Sequence, residues 1–382
     1  MGARGKTLFL ILASIVLTAC GGGGGGDDVP SAPMDSHLDT TFGAGGKVTT
    51  PIGTGNDDEA NALVLQPDGK LVAAGFSLNG TTSDFEFALV RYNVNGTLDT
   101  TFNSTGKVTT PIGGTVDDIH ALVLQVDNSI VKIVAAGSAF NGTNFDFALA
   151  RYNADGTLDT TFNSTGKVIT PIGSSDDQAN AIVLQPDGKL VVAGSSNNGI
   201  DFDFALVRYN VNGTLDTTFN VTGMVTTPIG AGNDGAFSLV LQNDGKPVAA
   251  GASHTGSNSV FALARYNSDG SLDSTFNGTG KVTTSIGGTF DEVQALVLQP
   301  DGKLVAAGST DNGANFDFAL VRYNVDGTLD TGFGTAGKIT TAIGGSEDNA
   351  NALVLQSDGK LVAAGDSFNG TSFDFALTRY LP

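Results

Sequence analysis

Tryptophan is absent from this chain of 382 residues, cysteine occurs once, and histidine three times. A single cysteine excludes a disulfide within the chain and a cysteine-built zinc site. The histidines, His37, His120 and His254, fall at different points of the sequence pattern, so none belongs to a cluster with metal-ligating spacing. Neither a GxSxG nucleophile turn nor a GxxxxGK[ST] phosphate loop occurs. Positive charge is scarce: 19 Lys and Arg face 39 Asp and Glu, a net charge of −20. Such a field repels polyanions, which argues against nucleic acid and anionic membrane surfaces and favours cations or a basic protein surface. Apolar runs long enough to cross a bilayer are missing as well. The stretch Leu8–Leu17 is only 10 residues long.

That stretch reads as the core of a leader. Arg4 and Lys6 precede it, and Leu17-Thr18-Ala19-Cys20 closes it, so residues 1–19 are expected to be a signal peptide. The close resembles the lipobox of bacterial lipoproteins, and the resemblance implies cleavage before Cys20 and acylation of Cys20. Two or three acyl chains suffice for stable anchoring. Residues 20–36, with Gly21 to Gly26 in a row, are expected to be a flexible tether. Gly21, standing where inner-membrane lipoproteins carry Asp, implies the outer membrane of the cell envelope, facing either the periplasm or the outside.

From 37 to 382 the chain repeats. LDTTF begins at Leu38, Leu98, Leu158 and Leu215, and variants of it begin at Leu272 and Leu329. The spacing is 57 residues, lengthened to 60 twice. A period of this size marks stacked supersecondary units, each unable to bury its own apolar face. Each unit holds four short Val-, Leu-, Thr- and Phe-rich segments bounded by Gly, Asn, Asp and Pro; in the first they are Lys47–Ile52, Ala60–Gln66, Lys70–Phe76 and Phe85–Tyr92. Pro67-Asp68-Gly69 predicts a tight hairpin between the second and third. Consecutive apolar residues, as in LVL and LVAA, predict strands buried on both faces. No helical period is found.

The pattern LDxxF…ALVLQPDGKLVAAG…DFALVRYNxDG resembles the delta-60 repeat, a bacterial β-propeller family of unknown function. The resemblance covers Leu38 to Tyr380 and carries no catalytic residues. It implies an all-β, six-bladed β-propeller of four-stranded antiparallel blades, with the LVLQ strand innermost and the KVTTPI strand outermost. In that arrangement Lys47–Ile52 pairs with Phe373–Tyr380 and closes the last blade. An open solenoid of the same units is the alternative.

Residues present in every unit are read as structural. Arg91, Arg151, Arg208, Arg265, Arg322 and Arg379 lie on apolar strands, and Asp39, Asp99, Asp159, Asp216, Asp273 and Asp330 lie in the LDxxF turns. The two sets are expected to pair, because a buried Arg without a partner costs several kcal/mol. Gln66, Gln125, Gln185, Gln242, Gln299 and Gln356 close the inner strands and are expected to bond neighbouring backbone. Asp58, Asp117, Asp177, Asp234, Asp291 and Asp348 precede those strands at one mouth of the channel. They either cap their own loops or form a carboxylate ring for Ca²⁺, whose ligands are hard oxygens. Glu86, Asp146, Asp203, Asp317 and Asp374 add further acids before the FAL strands. One repeat position reads Asn61, His120, Asn180, Phe237, Gln294 and Asn351, and of its departures His120 and Phe237 are candidates for contact with a partner.

The chain is therefore expected not to be an enzyme and to need no cofactor. It is expected to be a monomeric binding or scaffolding module, anchored in the envelope, for a protein or peptide. A glycan fits less well without Trp to stack on sugars. A structural or adhesive surface lipoprotein is the alternative, and a cation-dependent enzyme the third reading.

Overall fold

A computed structural model describes residues 38–55, 57–127, 130–345 and 347–382. The leader, Cys20 and the tether lie outside the described residues, as does His37. Every regular element among the described residues is a β-strand. The strands form six antiparallel sheets in chain order. The first sheet contains Asp58–Leu65, Leu71–Leu78, Phe85–Tyr92 and Lys107–Thr110, ordered as they occur in the chain. The next four repeat this arrangement, and the sixth contains three strands, Asp348–Leu355, Leu361–Phe368 and Phe373–Tyr380. This is a six-bladed β-propeller, with inner-to-outer strand order as expected.

The third blade shows why the sequence builds such a sheet. Asp177–Leu184 turns through Gln185–Lys189 into Leu190–Asn197. Gly188 takes a φ of +83°, and its N–H donates to the Gln185 carbonyl at 2.9 Å. Ala193 pairs with Ala181 and Gly194 with Ala179, so Asn180 is an extra, bulged residue. The bulge drives the Gln178 carbonyl over Gly194, where a Cβ would stand 1.8 Å from that oxygen. Every VAAG segment needs its glycine for this reason.

Blades pack face to face, and one apolar cluster fills each junction. Between the third and fourth, Val191, Ala193, Phe204, Leu206 and Phe219 meet Ala236, Leu239, Ala249, Ala262, Ala264 and Tyr266. Burying one such Phe or Leu contributes about 1.5–3 kcal/mol. The tyrosines add a ladder of hydroxyl contacts to the outer strand of the preceding unit: Tyr152 to Thr110, Tyr209 to Thr170, Tyr266 to Thr227 and Tyr323 to Thr284, at 2.8–2.9 Å.

The expected closure of the last blade is not made. Lys47–Ile52 forms no strand and does not pair with Phe373–Tyr380. It lies against the first blade instead, where Tyr92 reaches Thr50 at 2.9 Å, Lys107 reaches the Pro51 carbonyl at 2.5 Å, and the Ile52 N–H reaches Asp58 at 2.9 Å. Among the described residues no hydrogen bond or ion pair joins the first blade to the sixth. These local bonds hold the segment against the first blade, in the place that the preceding blade's outer strand takes at the other junctions.

Candidate functional site

The arginines and the LDxxF aspartates meet within each unit, eight residues apart. Nε of Arg91, Arg151, Arg208, Arg265 and Arg322 lies 2.7–2.8 Å from Oδ2 of Asp99, Asp159, Asp216, Asp273 and Asp330. Each guanidinium also sits over the phenylalanine of its own LDxxF turn, 4.4–4.7 Å from the ring centre. A further nitrogen reaches the next unit: Arg151 donates to the Val211 carbonyl, Arg208 to Ser268 and Arg265 to Val325, each at 2.5 Å. Arg91 donates likewise to Ala154. Each pair thus ties one blade to the next. Asp159 is pulled down to about 2: burial raises its pKa, but hydrogen bonds from Thr161 and Lys132 and the Arg151 charge outweigh that. Asp99, Asp216 and Asp273 are held well below the usual carboxylate range against the same opposing burial, by the same kinds of partner. The remaining two members, Arg379 and Asp39, are not brought together. Asp39 bonds only its neighbour Thr41.

The mouth aspartates do not form an open carboxylate ring. Asp117, Asp177, Asp234, Asp291 and Asp348 are buried. Each accepts from its own loop at 2.7 Å, from the N–H of Ile112, Ile172, Ile229, Ile286 and Ile343 respectively. Carboxylates used this way cap loop backbone and, being buried, do not line an open mouth. Burial raises the carboxyls of Asp117 and Asp177 despite those bonds. Among the described residues no three His, Cys, Asp or Glu side chains are grouped to hold a metal. Asp58 is the exposed member of the set.

His120 and Phe237 occupy the bulge position of the inner strands, and the bulge has a structural task. Asn61 donates to the Ile119 carbonyl at 3.1 Å and Asn180 to Ala236 at 2.9 Å, each on the following blade. His120 does the same through Nδ1, 2.8 Å from the Ala179 carbonyl. Its Nε2 lies 3.2 Å from Asp118. Burial opposes the charged ring, but the Asp118 carboxylate and the Ala179 carbonyl outweigh it and raise the histidine's pKa. His120 is therefore a bridge between blades, with its side chain still 30% exposed. Phe237 cannot make that bond, and Ser238 beside it accepts from the Leu296 N–H at 3.0 Å instead. Sequence reasoning missed the bulge because it changes no residue count between repeats. The recurring LVAAG glycine was its one visible signal. The glutamine reading is seen directly where Gln125 donates to the Gly188 carbonyl of the next blade at 2.9 Å.

Most basic side chains are bonded within the fold, the arginines mostly buried and the lysines partly exposed. Lys70, Lys132, Lys189, Lys246 and Lys303 join the Arg–Asp pairs at 2.7–3.1 Å. Lys107, Lys167, Lys281 and Lys338 donate to backbone carbonyls of the preceding unit at 2.5–2.9 Å. Asp68, Asp155, Asp187, Asp244, Asp269, Asp301, Asp326 and Asp358 stay exposed on turns.

The fold and its seams place the chain among β-propeller repeat proteins. It belongs to the family described as "Domain of unknown function (DUF5122) beta-propeller", whose sequence profile matches residues 66–102, 132–162, 185–219, 242–276, 299–333 and 356–382. No curated protein sequence matches the chain. Solved structures similar to it include the PQQ-bound aldose sugar dehydrogenase of Streptomyces coelicolor, 13% identical, covering 87% of this chain and 98% of that one with a TM-score of 0.44. Another is Sqt1 of Chaetomium thermophilum bound to the N-terminus of ribosomal protein L10, 15% identical, covering 81% and 82% with a TM-score of 0.42. Likeness at this level carries no inference about what this chain binds.

Proposed function

We propose that this propeller is a non-catalytic docking module, anchored to the bacterial envelope through lipidated Cys20, for a protein or peptide partner with a basic surface. The observation that carries the reading is the set of aspartates exposed on turns, of which Asp155, Asp269 and Asp326 are in no ion pair among the described residues. They are the charge that a partner meets. The turns form a rigid array whose backbone carbonyls belong to the seams, while their side chains are free to vary as contact residues. The leader and the LTAC motif support export and anchoring at the outer membrane.

Calorimetric titration with a lysine-rich peptide, with its glutamate counterpart as control, tests the partner chemistry. Binding of the basic peptide alone, weakening steeply as salt shortens the Debye length from about 30 Å to about 8 Å, is the expected result. Equal affinity for both peptides, or none for either at low salt, overturns it. Labelled palmitate incorporated into the native chain but not into Cys20→Ser tests the anchor.

A further inference from the structure

The two ends of the blade stack expose apolar side chains that the junctions between them bury. On the sixth blade Phe375 is 71% exposed, Leu377 68% and Val354 57%. The residues equivalent to Phe375 and Leu377 in the other five blades, such as Phe204 and Leu206, are fully buried against the following blade. On the first blade Leu63 is 63% exposed, where its equivalents Ile182, Leu239, Leu296 and Leu353 are buried against the preceding blade.

The polar groups divide the same way. Arg379 and Lys47 are the basic side chains among the described residues with no bonding partner, and Asp39 has none beyond Thr41. Lys360 reaches only Asp358, whereas Lys303 before it joins Asp330. Lys47–Thr49 lines an open cavity of about 300 Å³ with Gly43, Ala44 and Gly96. The outer edge of Phe373–Tyr380 is likewise an unpaired strand edge.

We infer that these ends join head to tail between two copies of this chain, the Asp39–Ile52 segment of one completing the sixth blade of the other. The register follows from the blades already formed. Phe87 pairs with Thr110 and Val90 with Lys107, so Phe375 faces Thr50 and Thr378 faces Lys47. Arg379 then meets Asp39 and Phe42, and Lys360 joins Asp39, which restores the sixth copy of the inter-blade pair. A second copy is the occupant because five near-identical junctions fix one rotation per blade, and here that rotation leaves the first and sixth blades apart. A heterologous interface whose rotation does not close continues into the next molecule. The inference is independent of the docking proposal, since it uses the blade faces and not the turns.

The test uses the full chain with Cys20→Ser, so that engineered thiols are the only ones. Copies carrying Lys47→Cys are mixed with copies carrying Thr378→Cys, oxidised, and sized under denaturing conditions; the double variant is oxidised alone. Sedimentation of the native chain and of Phe375→Glu runs in parallel. Phe375 is exposed in the single chain, so the latter variant folds. Expected are a disulfide between copies in the mixture, native species heavier than one chain, and association weakened at least about a hundredfold by Phe375→Glu, which buries an unpaired charge. A disulfide formed within one chain in the double variant, at single-chain mass, overturns the inference in favour of ring closure. Absence of cross-links, with native sedimentation at single-chain mass, overturns it too.

Discussion

Arg208→Met isolates what one inter-blade pair contributes. Arg208 is buried, holds Asp216 at 2.7 Å, donates to the Ser268 carbonyl at 2.5 Å and to Thr218 at 3.0 Å, and lies 4.7 Å from the Phe219 ring centre. Methionine keeps the apolar stem and removes the charge. Breaking a buried pair from one side costs about 3–5 kcal/mol. Asp216 keeps Lys189 at 2.9 Å and Thr218 at 2.7 Å, so its charge is not orphaned and the lower end applies. The Ser268 carbonyl loses its donor, which keeps the total near 3 kcal/mol. Blades of a repeat protein open locally, so the assay is native-state hydrogen exchange at the third and fourth blades. About 3 kcal/mol appears there as exchange roughly a hundredfold faster. Arg379→Met is the matched control: the same substitution at the same repeat position, where the side chain has no partner, changes exchange in the dilute single chain by less than about threefold. Equal effects of the two substitutions would refute the assignment of Arg208 as a structural tie.

Further outcomes follow from the same seams. His120→Ala lowers stability by about 1 kcal/mol, while His120→Asn restores it, because Asn61 and Asn180 make the same bond; urea denaturation midpoints distinguish them. Phe237→Asn gains up to about 1 kcal/mol by the same logic, read the same way. Gly194→Ala costs about 3 kcal/mol, since its Cβ would meet the Gln178 carbonyl in a fixed bulge. Stability against pH has a maximum on the mildly acidic side. Asp117 and Asp177 have raised pKa values, so protonating them as pH falls from neutrality favours the folded state. Asp159, lowered from 3.8 to about 2, contributes stability that is present above its unfolded pKa and lost as pH falls toward 2. Thermal melts across pH 7 to pH 2 (spanning roughly both ranges) check the order, and a monotonic fall from neutrality contradicts it.

Sequence legibility tracked how local each feature is. The hairpin at Pro67-Asp68-Gly69 is set by residues that touch one another in the chain, and it stands where expected, with Gly69 at a φ of +82°. The strand order was implied by the resemblance to a propeller repeat and not by any one segment. The Arg and Asp sets could be matched because both recur in every copy and a buried charge needs a partner. The mouth aspartates were ambiguous for a physical reason: a loop cap and a cation ligand call for the same carboxylate at the same spacing. Only the direction of the side chain, toward Ile112 N–H in the case of Asp117, separates them. Closure was the least legible feature. No single residue encodes it, because it is the accumulated rotation of five junctions, each built from nearly the same Val, Ala, Phe and Leu contacts. A small change in that rotation moves Asp39 toward or away from Arg379 without altering any motif. The unsatisfied ends are therefore more informative than the repeats between them: Lys47, Asp39, Arg379 and Phe375 report the state of the seam, whereas their counterparts in the other blades are committed to neighbours already present.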